Sequence, residues 1–305
     1  MKLLFSEQKS DYANYQYPYI IWAMPEEGET PADIFNAGFM PASRLLDRFY
    51  LCRQIRVNLA KFQPSSENRR ILRKGTGINV KLVPRDQFDY TPERREFFRT
   101  YAAARFSKDT MTYERLDALF AAPIISHLLV FTDSETGKEI GVAVLYLEGD
   151  ALAFYYYAFY DLNYFNRSLG MFMMTATVEL FASRGCKHLY LGTCYAEQML
   201  YKTQFAGGEF FTGFRWSDNW DELKFLIQRD KTELKHLLET DEYLENFYQN
   251  DIGKITNASE FRVKVKIKIA LAENESLLTL NLVSQPIKNN ASYRRVIYFY
   301  KRIIS

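Results

Sequence analysis

An Arg-Ser-Leu-Gly sequence at residues 167–170 stands immediately before an apolar run that predicts a buried helix. Backbone N–H groups at a helix N-terminus bind anions such as phosphates, and glycine permits the close approach of such a group. Arg167, Ser168 and Gly170 are therefore candidate residues for holding the anionic part of a substrate. Phe172 follows two positions after Gly170, and we expect so bulky a side chain to obstruct a phosphate.

Three further residues have side chains suited to substrate binding or proton transfer. Asp161 follows a predicted core strand, which places its carboxylate to hold or deprotonate an incoming ammonium group; the alternative is an aspartate that caps a turn. Tyr190 and Tyr201 either line a pocket through their hydroxyls or pack as ordinary amphipathic residues. Covalent catalysis has little support, because the chain has no GxSxG motif and no convincing Cys-His pair. We interpret the scattered histidines as structural or surface residues: His127, His188 and His236.

A basic cluster lies between Arg53 and Lys81 and is opposed only by Glu67. Because the whole chain carries a net charge of only +2, contact with a nucleic acid depends on local clusters of this kind. We expect the cluster to contact RNA phosphates while nearby aromatic side chains stack on unpaired bases; the alternative is a solvated helix face. The candidate RNA-binding residues are Arg56, Arg69, Arg70, Arg73 and Lys74.

The elements around these residues follow one another in an order that indicates a fold class. Thr91, Pro92 and Glu93 give a cap, a proline at the first helical position and an acid in the first turn, which predicts a helix. This helix extends to about residue 106, and the pattern then predicts a helix at 112–120, strands at 124–131, 139–147 and 151–160, the apolar helix to 184, and a strand at 186–191. Antiparallel strands, a buried crossover helix and a further strand are the middle of a GNAT-like α/β (α+β) fold with a mixed, mainly antiparallel sheet.

Changes in charge and periodicity divide the chain into three parts. We expect a smaller N-terminal domain at residues 1–85, aromatic and then basic, and a GNAT-like domain at 86–230. The third part, 231–305, is a C-terminal extension that begins with an amphipathic helix. Its alternation of basic and aliphatic residues at 262–269 predicts one strand of a hairpin. The basic face of this strand is either an edge guarded against aggregation or a surface that contacts RNA.

Cysteine usage and hydropathy indicate the cellular location. Cys52, Cys186 and Cys194 form no CxxC pair, and an odd number of cysteines argues against a disulfide framework. No stretch approaches the roughly 18 consecutive apolar residues of a membrane span, and the first residues lack the pattern of a signal peptide. We therefore expect a protein of the reducing cytoplasm without membrane attachment.

A series of short motifs between Tyr157 and Trp216 resembles one family in order and spacing. The motifs are Phe159-Tyr160-Asp161, Arg167 to Gly170, Leu189 to Gly192, Tyr201 to Phe205, and Gly213 to Trp216. They are similar to the FYD, SLG, YLGYxI, KMxYKxxF and GxW motifs of the arginyl- and leucyl-tRNA-protein transferases. A looser match extends from Arg56 to Arg70, which resembles the family pattern RIxVxxFxPSxxxRR.

This resemblance implies an enzyme that moves an amino acid of Arg or Leu type from tRNA to the N-terminal amine of a protein with an acidic N-terminus. An aminoacyl-tRNA ester is already activated, so the enzyme has to align the amine and stabilise the tetrahedral oxyanion. Lys202 is then a candidate to face that oxyanion or the terminal phosphate of the tRNA, with a solvated helix lysine as the alternative. No cofactor is expected beyond the aminoacyl-tRNA donor.

The chain departs from the family pattern in two places. The family has a cysteine cluster upstream of Arg56, and only Cys52 stands at a matching position. Because a lone thiol does not hold a zinc ion or an iron–sulfur centre, we expect no metal site. Gly38 begins a segment like the family's GFRRSG, but Met40 and Pro41 replace its arginines.

Two alternative functions stay open. One is a GNAT N-acyltransferase that uses acyl-CoA, because residues 167–172 match the first half of the acyl-CoA loop [Q/R]xxGx[G/A]. Phe172 stands where that loop needs a tiny residue, which favours tRNA as the donor. The other is a non-catalytic relative that binds RNA or protein N-termini, indicated by the missing cysteines and arginines.

Overall fold

The computed structural model describes residues 1–7, 19–106, 111–232, 262–272 and 275–285. The α-helices are α1 (Pro31–Asn36), α2 (Ser66–Lys74), α3 (Pro92–Arg105), α4 (Tyr113–Phe120), α5 (Leu169–Ser183) and α6 (Trp220–Thr232). The strands are β1 (Lys2–Glu7), β2 (Tyr19–Met24), β3 (Phe39–Pro41), β4 (Phe49–Leu51), β5 (Gln54–Asn58), β6 (Ile78–Pro84), β7 (His127–Asp133), β8 (Glu139–Glu148), β9 (Leu152–Tyr160), β10 (His188–Thr193), β11 (Gly208–Phe211), β12 (Trp216–Ser217), β13 (Arg262–Ala272) and β14 (Glu275–Gln285). Within these ranges, no helix has the length and hydrophobicity of a membrane span.

The chain divides into two compact units. Unit 1 comprises Met1–Ser43, Asp47–Arg53 and Phe211–Ser305, and unit 2 comprises Arg44–Leu46 and Gln54–Phe210. Residues 54–85, which the sequence assigns to an N-terminal domain, lie in unit 2, where β5 and β6 are strands of the sheet.

The sheet of unit 2 has the strand order β11–β5–β10–β9–β8–β7–β6 in the part of the chain that is described. β9 and β10 pair in parallel, whereas the other neighbouring strands pair antiparallel. A parallel pair needs a crossover connection, and α5 supplies it. The predicted fold class, a GNAT-like α/β domain with a mainly antiparallel sheet and a buried crossover helix, is confirmed.

The crossover helix α5 is buried because its sequence is apolar on nearly every side. Met173 and Val178 are fully buried, and so are the two threonines of the helix. Thr175 and Thr177 donate their hydroxyl hydrogens to the carbonyl oxygens of Met171 and Met173, at 2.8 and 2.7 Å. These bonds satisfy the hydroxyls inside the helix, so the polar atoms do not oppose its burial.

Aromatic rings join α3 and α4 to the opposite face of the sheet. The ring of Phe98 lies 4.5 Å from that of Phe159 on β9 and 5.2 Å from that of Phe120 on α4, measured between centroids. The Thr-Pro-Glu start of α3 behaves as the sequence predicts, because the Thr91 hydroxyl accepts a hydrogen bond from the backbone N–H of Arg94. The face that carries Phe159 is therefore closed by aromatic packing.

Unit 1 contains an antiparallel sheet with the order β1–β2–β4–β3 in its described residues. Helix α1 begins at a capping box, in which Thr30 and Asp33 satisfy each other's backbone N–H groups. β13 and β14 pair antiparallel, with Lys266 opposite Asn281, where the sequence alternation predicts a hairpin. The amphipathic helix predicted from about residue 231 lies outside the described residues after Thr232.

The side chain of Phe172 points into the core of unit 2 and is only 5% exposed. Its ring lies 6.0 Å from the ring of Phe131, and a Cβ atom added to Gly75 would lie 1.9 Å from its Cε2 atom. Phe172 occupies the face of α5 that packs against the end of α2. The expectation that it obstructs a phosphate at the start of α5 is therefore wrong.

Gly75→Ala is expected to lower the free energy of unfolding by about 1–3 kcal/mol, the usual cost of overpacking a core. The added methyl group overlaps the Phe172 ring, and the φ angle of Gly75 is −86°, so the change tests packing without backbone strain. Urea denaturation measures the effect. In the double variant with Phe172→Leu, the smaller side chain makes room for the methyl group, so the combined loss is expected to be smaller than the sum of the single losses. Additive losses would contradict this packing.

Candidate active site

A bulge in β9 changes which of its side chains share a face of the sheet. Val144 pairs with Tyr157 and Leu145 with Tyr155, so Tyr156 is one extra residue in β9. The rings of Phe154, Tyr156, Tyr157 and Phe159 follow one another at centroid distances of 5.2, 4.5 and 6.1 Å. Because an extra residue reverses the alternation, Tyr155 and Tyr160 lie together on the other face, which α5 crosses.

The N-terminus of α5 lies against Tyr160. A Cβ atom added to Gly170 would lie 2.8 Å from both the Cζ and the Oη atoms of Tyr160, so any other residue here would require the Tyr160 ring to shift. Ser168, the residue before the helix, has left-handed backbone angles (φ 54°, ψ 42°), and its hydroxyl accepts a hydrogen bond from Lys74 Nζ at 3.1 Å. Arg167 ends the 3-10 helix Leu162–Arg167, and its side chain is outside the described part.

Four tyrosines, which we call the tyrosine cluster, gather beside this helix terminus. They are Tyr101, Tyr155, Tyr160 and Tyr201. The rings of Tyr101 and Tyr160 are 4.8 Å apart. Burial raises the pKa of Tyr101, Tyr155 and Tyr201, and the neighbouring phenols raise it further. At neutral pH these hydroxyls therefore stay protonated and serve as hydrogen-bond donors rather than as bases.

Lys202 lies at the end of β10, in the 3-10 helix Glu197–Gln204 that also carries Tyr201. Its Nζ atom donates a hydrogen bond to the carbonyl oxygen of Thr193 at 2.8 Å and lies 5.9 Å from the centre of the Tyr201 ring. The side chain is only partly exposed. The structure thus brings two predicted residues, Tyr201 and Lys202, to the edge of the sheet where α5 begins.

Asp161, at the end of β9, is buried and already has partners. Its carboxylate accepts hydrogen bonds from Lys138 Nζ at 2.6 Å and from the backbone and side-chain nitrogens of Asn163 at 2.9 and 2.8 Å. Burial raises the pKa of Asp161, but the bonds from Lys138 and Asn163 outweigh burial and hold it below its usual range. A carboxylate of this kind is a weak base at neutral pH and stabilises the turn after β9.

Arg56 and Tyr190 belong to a buried network in the sheet. Arg56 on β5 donates through Nε to Glu209 on β11 at 2.8 Å and through Nη1 to the Tyr190 hydroxyl on β10 at 3.3 Å. Arg56 is 7% exposed and Tyr190 is 1% exposed. Neither residue presents its polar group to a substrate, so we leave both out of the candidate site.

The other predicted RNA-binding residues lie on α2. Arg69, Arg70 and Arg73 are exposed, and Arg70 forms an ion pair with Glu67 at 2.6 Å. Lys74 ends the helix and, through its bond to Ser168, links α2 to the start of α5. The basic face of α2 therefore continues to the helix terminus that is suited to an anion.

Three residues of the tyrosine cluster were not predicted from the sequence: Tyr101, Tyr155 and Tyr160. Tyr160 lies within the Phe159-Tyr160-Asp161 motif, and this motif is the sequence feature that could have identified it as a site residue. No sequence feature identifies Tyr155, because simple alternation places it on the same face as Phe159. Only the bulge moves it to the other face of the sheet.

The three cysteines are free and buried. Among the described residues, no three His, Cys, Asp or Glu side chains gather in a way that would hold a metal ion.

Comparison with known proteins shows similarity in the same part of the chain. A family model described as "Arginine-tRNA-protein transferase, C terminus" matches residues 93–212. An aspartate/glutamate leucyltransferase from Saccharophagus degradans is 30% identical over 171 residues, which are 54% of this chain and 70% of that protein. One from Ruegeria pomeroyi is 28% identical over 172 residues, or 54% and 61% of the two chains. The solved structure of L-PGS from Bacillus licheniformis has a TM-score of 0.35 at 12% identity, covering 46% of this chain and 44% of that one.

The fold and the site together define a GNAT-like α/β domain with polar groups gathered at the N-terminus of a buried crossover helix. Within that class, the family match and the identity to the S. degradans protein show that the chain belongs to the arginyl- and leucyl-tRNA-protein transferases. The family indicated by the sequence motifs is thereby confirmed. The chain spans less than two thirds of the length of the R. pomeroyi relative, at 61%.

Asp161→Asn is expected to lower the free energy of unfolding at pH 7 by about 1 kcal/mol, since the charge-assisted bond from Lys138 is lost. The pKa of Asp161 is held below its ordinary value of about 3.9, so its stabilisation is present above that value and disappears as the pH falls through the folded-state pKa. The stabilities of wild type and variant should therefore converge as urea denaturation is repeated from pH 7 to pH values below about 4. Asp89→Asn, at an exposed position outside this network, is the control. A difference that persisted in acid would contradict the assignment.

Proposed function

We propose that the chain transfers an amino acid from an aminoacyl-tRNA to the N-terminal amine of a protein in the cytoplasm. The observation that carries the proposal is the family match at residues 93–212, because that range contains the tyrosine cluster, the start of α5 and Lys202. The names of the relatives favour leucine as the transferred residue and aspartate or glutamate as the accepting residue. Arginine is the alternative that the description of the family model supports.

The proposed reaction is the aminolysis of an ester. The amine nitrogen attacks the carbonyl carbon, a C–N bond forms, and the bond from that carbon to the ribose oxygen breaks. The proton that the amine loses is balanced by the one that the ribose oxygen gains, so no oxidant or reductant is needed. Negative charge grows on the carbonyl oxygen in the tetrahedral intermediate, and fixed hydrogen-bond donors lower the barrier to reach it.

The described residues supply groups for the carbonyl oxygen and for the phosphates of this substrate. Lys202 Nζ and the protonated tyrosine hydroxyls are donors for the carbonyl oxygen. The start of α5, with Lys74 bonded to Ser168, suits a phosphate of the tRNA acceptor end. The exposed arginines of α2 then extend the phosphate-binding surface.

Lys202→Met is expected to reduce kcat about 100-fold, the usual effect of losing one donor to an oxyanion, with little change in stability. Transfer of labelled amino acids from a pool of aminoacyl-tRNAs to peptides with N-terminal Asp or Glu measures the rate. Lys81→Met, at an exposed position on β6, is the matched control and should keep the wild-type rate. If the wild-type protein transfers no amino acid from any charged tRNA, the proposed function is wrong.

Replacing Arg69 and Arg73 with Gln is expected to raise the KM for aminoacyl-tRNA about tenfold and to leave kcat unchanged, because phosphate contacts position the RNA. The slope of log affinity against log salt concentration should also fall by roughly 1.5, since two contacts are lost. The pair Arg184→Gln and Lys187→Gln removes two exposed charges elsewhere on unit 2 and is the control. Equal effects of the two pairs would exclude α2 as the RNA-binding face.

An acyl-CoA donor is the second candidate, and one observation favours it. Because the ring of Phe172 is turned into the core, it does not obstruct the start of α5. Thermal stabilisation by acetyl-CoA, without any effect of aminoacyl-tRNA, would select this candidate. Stabilisation by aminoacyl-tRNA alone would select the first.

A further inference from the structure

The hydroxyl of Tyr155 is buried and has no hydrogen-bond partner among the described residues. The residue is 7% exposed and stands in the middle of β9. Burying a hydroxyl without a partner destabilises the folded protein, and buried polar groups are nearly always paired. Such a group therefore calls for a partner that the described residues do not provide.

The position of Tyr155 indicates where that partner binds. The bulge at Tyr156 places Tyr155 on the same face as Tyr160, whose ring contacts the start of α5 at Gly170. The electrostatic neighbours of the Tyr155 hydroxyl are the phenols of Tyr201, Tyr101 and Tyr160. The unpartnered hydroxyl thus lies beside the other three phenols of the tyrosine cluster at the candidate active site.

Tyr201 is the exposed neighbour of this hydroxyl. Tyr201 is 47% exposed, whereas Tyr101 and Tyr155 are 7% exposed. Tyr201 is carried by a 3-10 helix, whose hydrogen bonds are weaker than those of an α-helix, so its side chain is the one that can most readily shift. A substrate that displaces Tyr201 reaches a buried hydrogen-bond donor.

We propose that Tyr155 donates a hydrogen bond to the carbonyl oxygen of the aminoacyl ester and so stabilises the oxyanion of the tetrahedral intermediate. This inference rests on the proposed function. Burial raises the pKa of Tyr155, so the hydroxyl keeps its proton. It therefore acts as a hydrogen-bond donor to the carbonyl oxygen and not as a base that takes a proton from the amine. The C–N bond still forms and the bond from the carbonyl carbon to the ribose oxygen still breaks. The phenol keeps its O–H bond throughout.

The test compares Tyr155→Phe with Tyr146→Phe. Tyr146, on the neighbouring strand β8, is partly buried, and its hydroxyl donates to Glu148 at 3.3 Å. Removing the unpartnered hydroxyl of Tyr155 should raise Tm by about 2–4 °C, and removing the bonded hydroxyl of Tyr146 should lower Tm by a similar amount. In the transfer assay, Tyr155→Phe should reduce kcat about 100-fold with KM nearly unchanged, and Tyr146→Phe should keep the wild-type kcat.

The outcomes separate this inference from the proposed function. A Tyr155→Phe variant that is more stable but much slower supports the inference. An unchanged kcat overturns it and leaves the proposed function in place, since the wild-type protein is then active. A lower Tm also overturns it, because the hydroxyl would then have a partner in the free protein. A wild-type protein without any transfer activity overturns both.

Discussion

The parallel pairing of β9 with β10 is the constraint on which the candidate site depends. Parallel neighbours need a connection that crosses the sheet, and α5 is that connection. Because α5 follows the end of β9, its N-terminus and Gly170 are held against Tyr160. Lys202 follows the end of β10 and so reaches the same edge. The N-terminus of α5 and the lysine are therefore neighbours as a consequence of topology.

The extra residue in β9 then determines which chemistry lines this edge. Without it, Tyr155 would share a face with Phe159, in the aromatic packing of α3 and α4. With it, a hydroxyl faces α5 at a position where an apolar side chain would pack as well. A buried hydroxyl without a partner lowers the stability of the fold. Functional sites often contain such unfavourable groups, because residues that serve a reaction are not selected for stability.

Local patterns in the sequence predict the elements that local interactions form. Thr91 and Thr112 cap α3 and α4. Apolar runs predict the three consecutive strands β7, β8 and β9 and the buried helix α5. The pairing of β5 between β10 and β11 joins residues 134 and 153 positions apart, as in the bonds of Arg56. Such distant pairing leaves no periodic signal, so the sequence predicts Arg56 as an RNA-binding residue and does not decide whether Tyr190 lines a pocket or packs in the core. Tyr155 was missed for the related reason that a bulge changes the face without changing the composition.

The proposed ester donor needs hydrogen-bond donors and no strong base, and the described residues of the site offer such donors. The pKa of Asp161 is held low by Lys138 and Asn163, so this carboxylate does not take up a proton readily near pH 7. An N-terminal amine has an ordinary pKa of about 7.7–8.0, so an appreciable fraction is already neutral in the cell. Since the ester is activated beforehand, holding the two reactants together and stabilising the oxyanion are the tasks left to the protein. In the proposed reaction, protonated tyrosines beside a helix terminus would perform the second task without any change of charge.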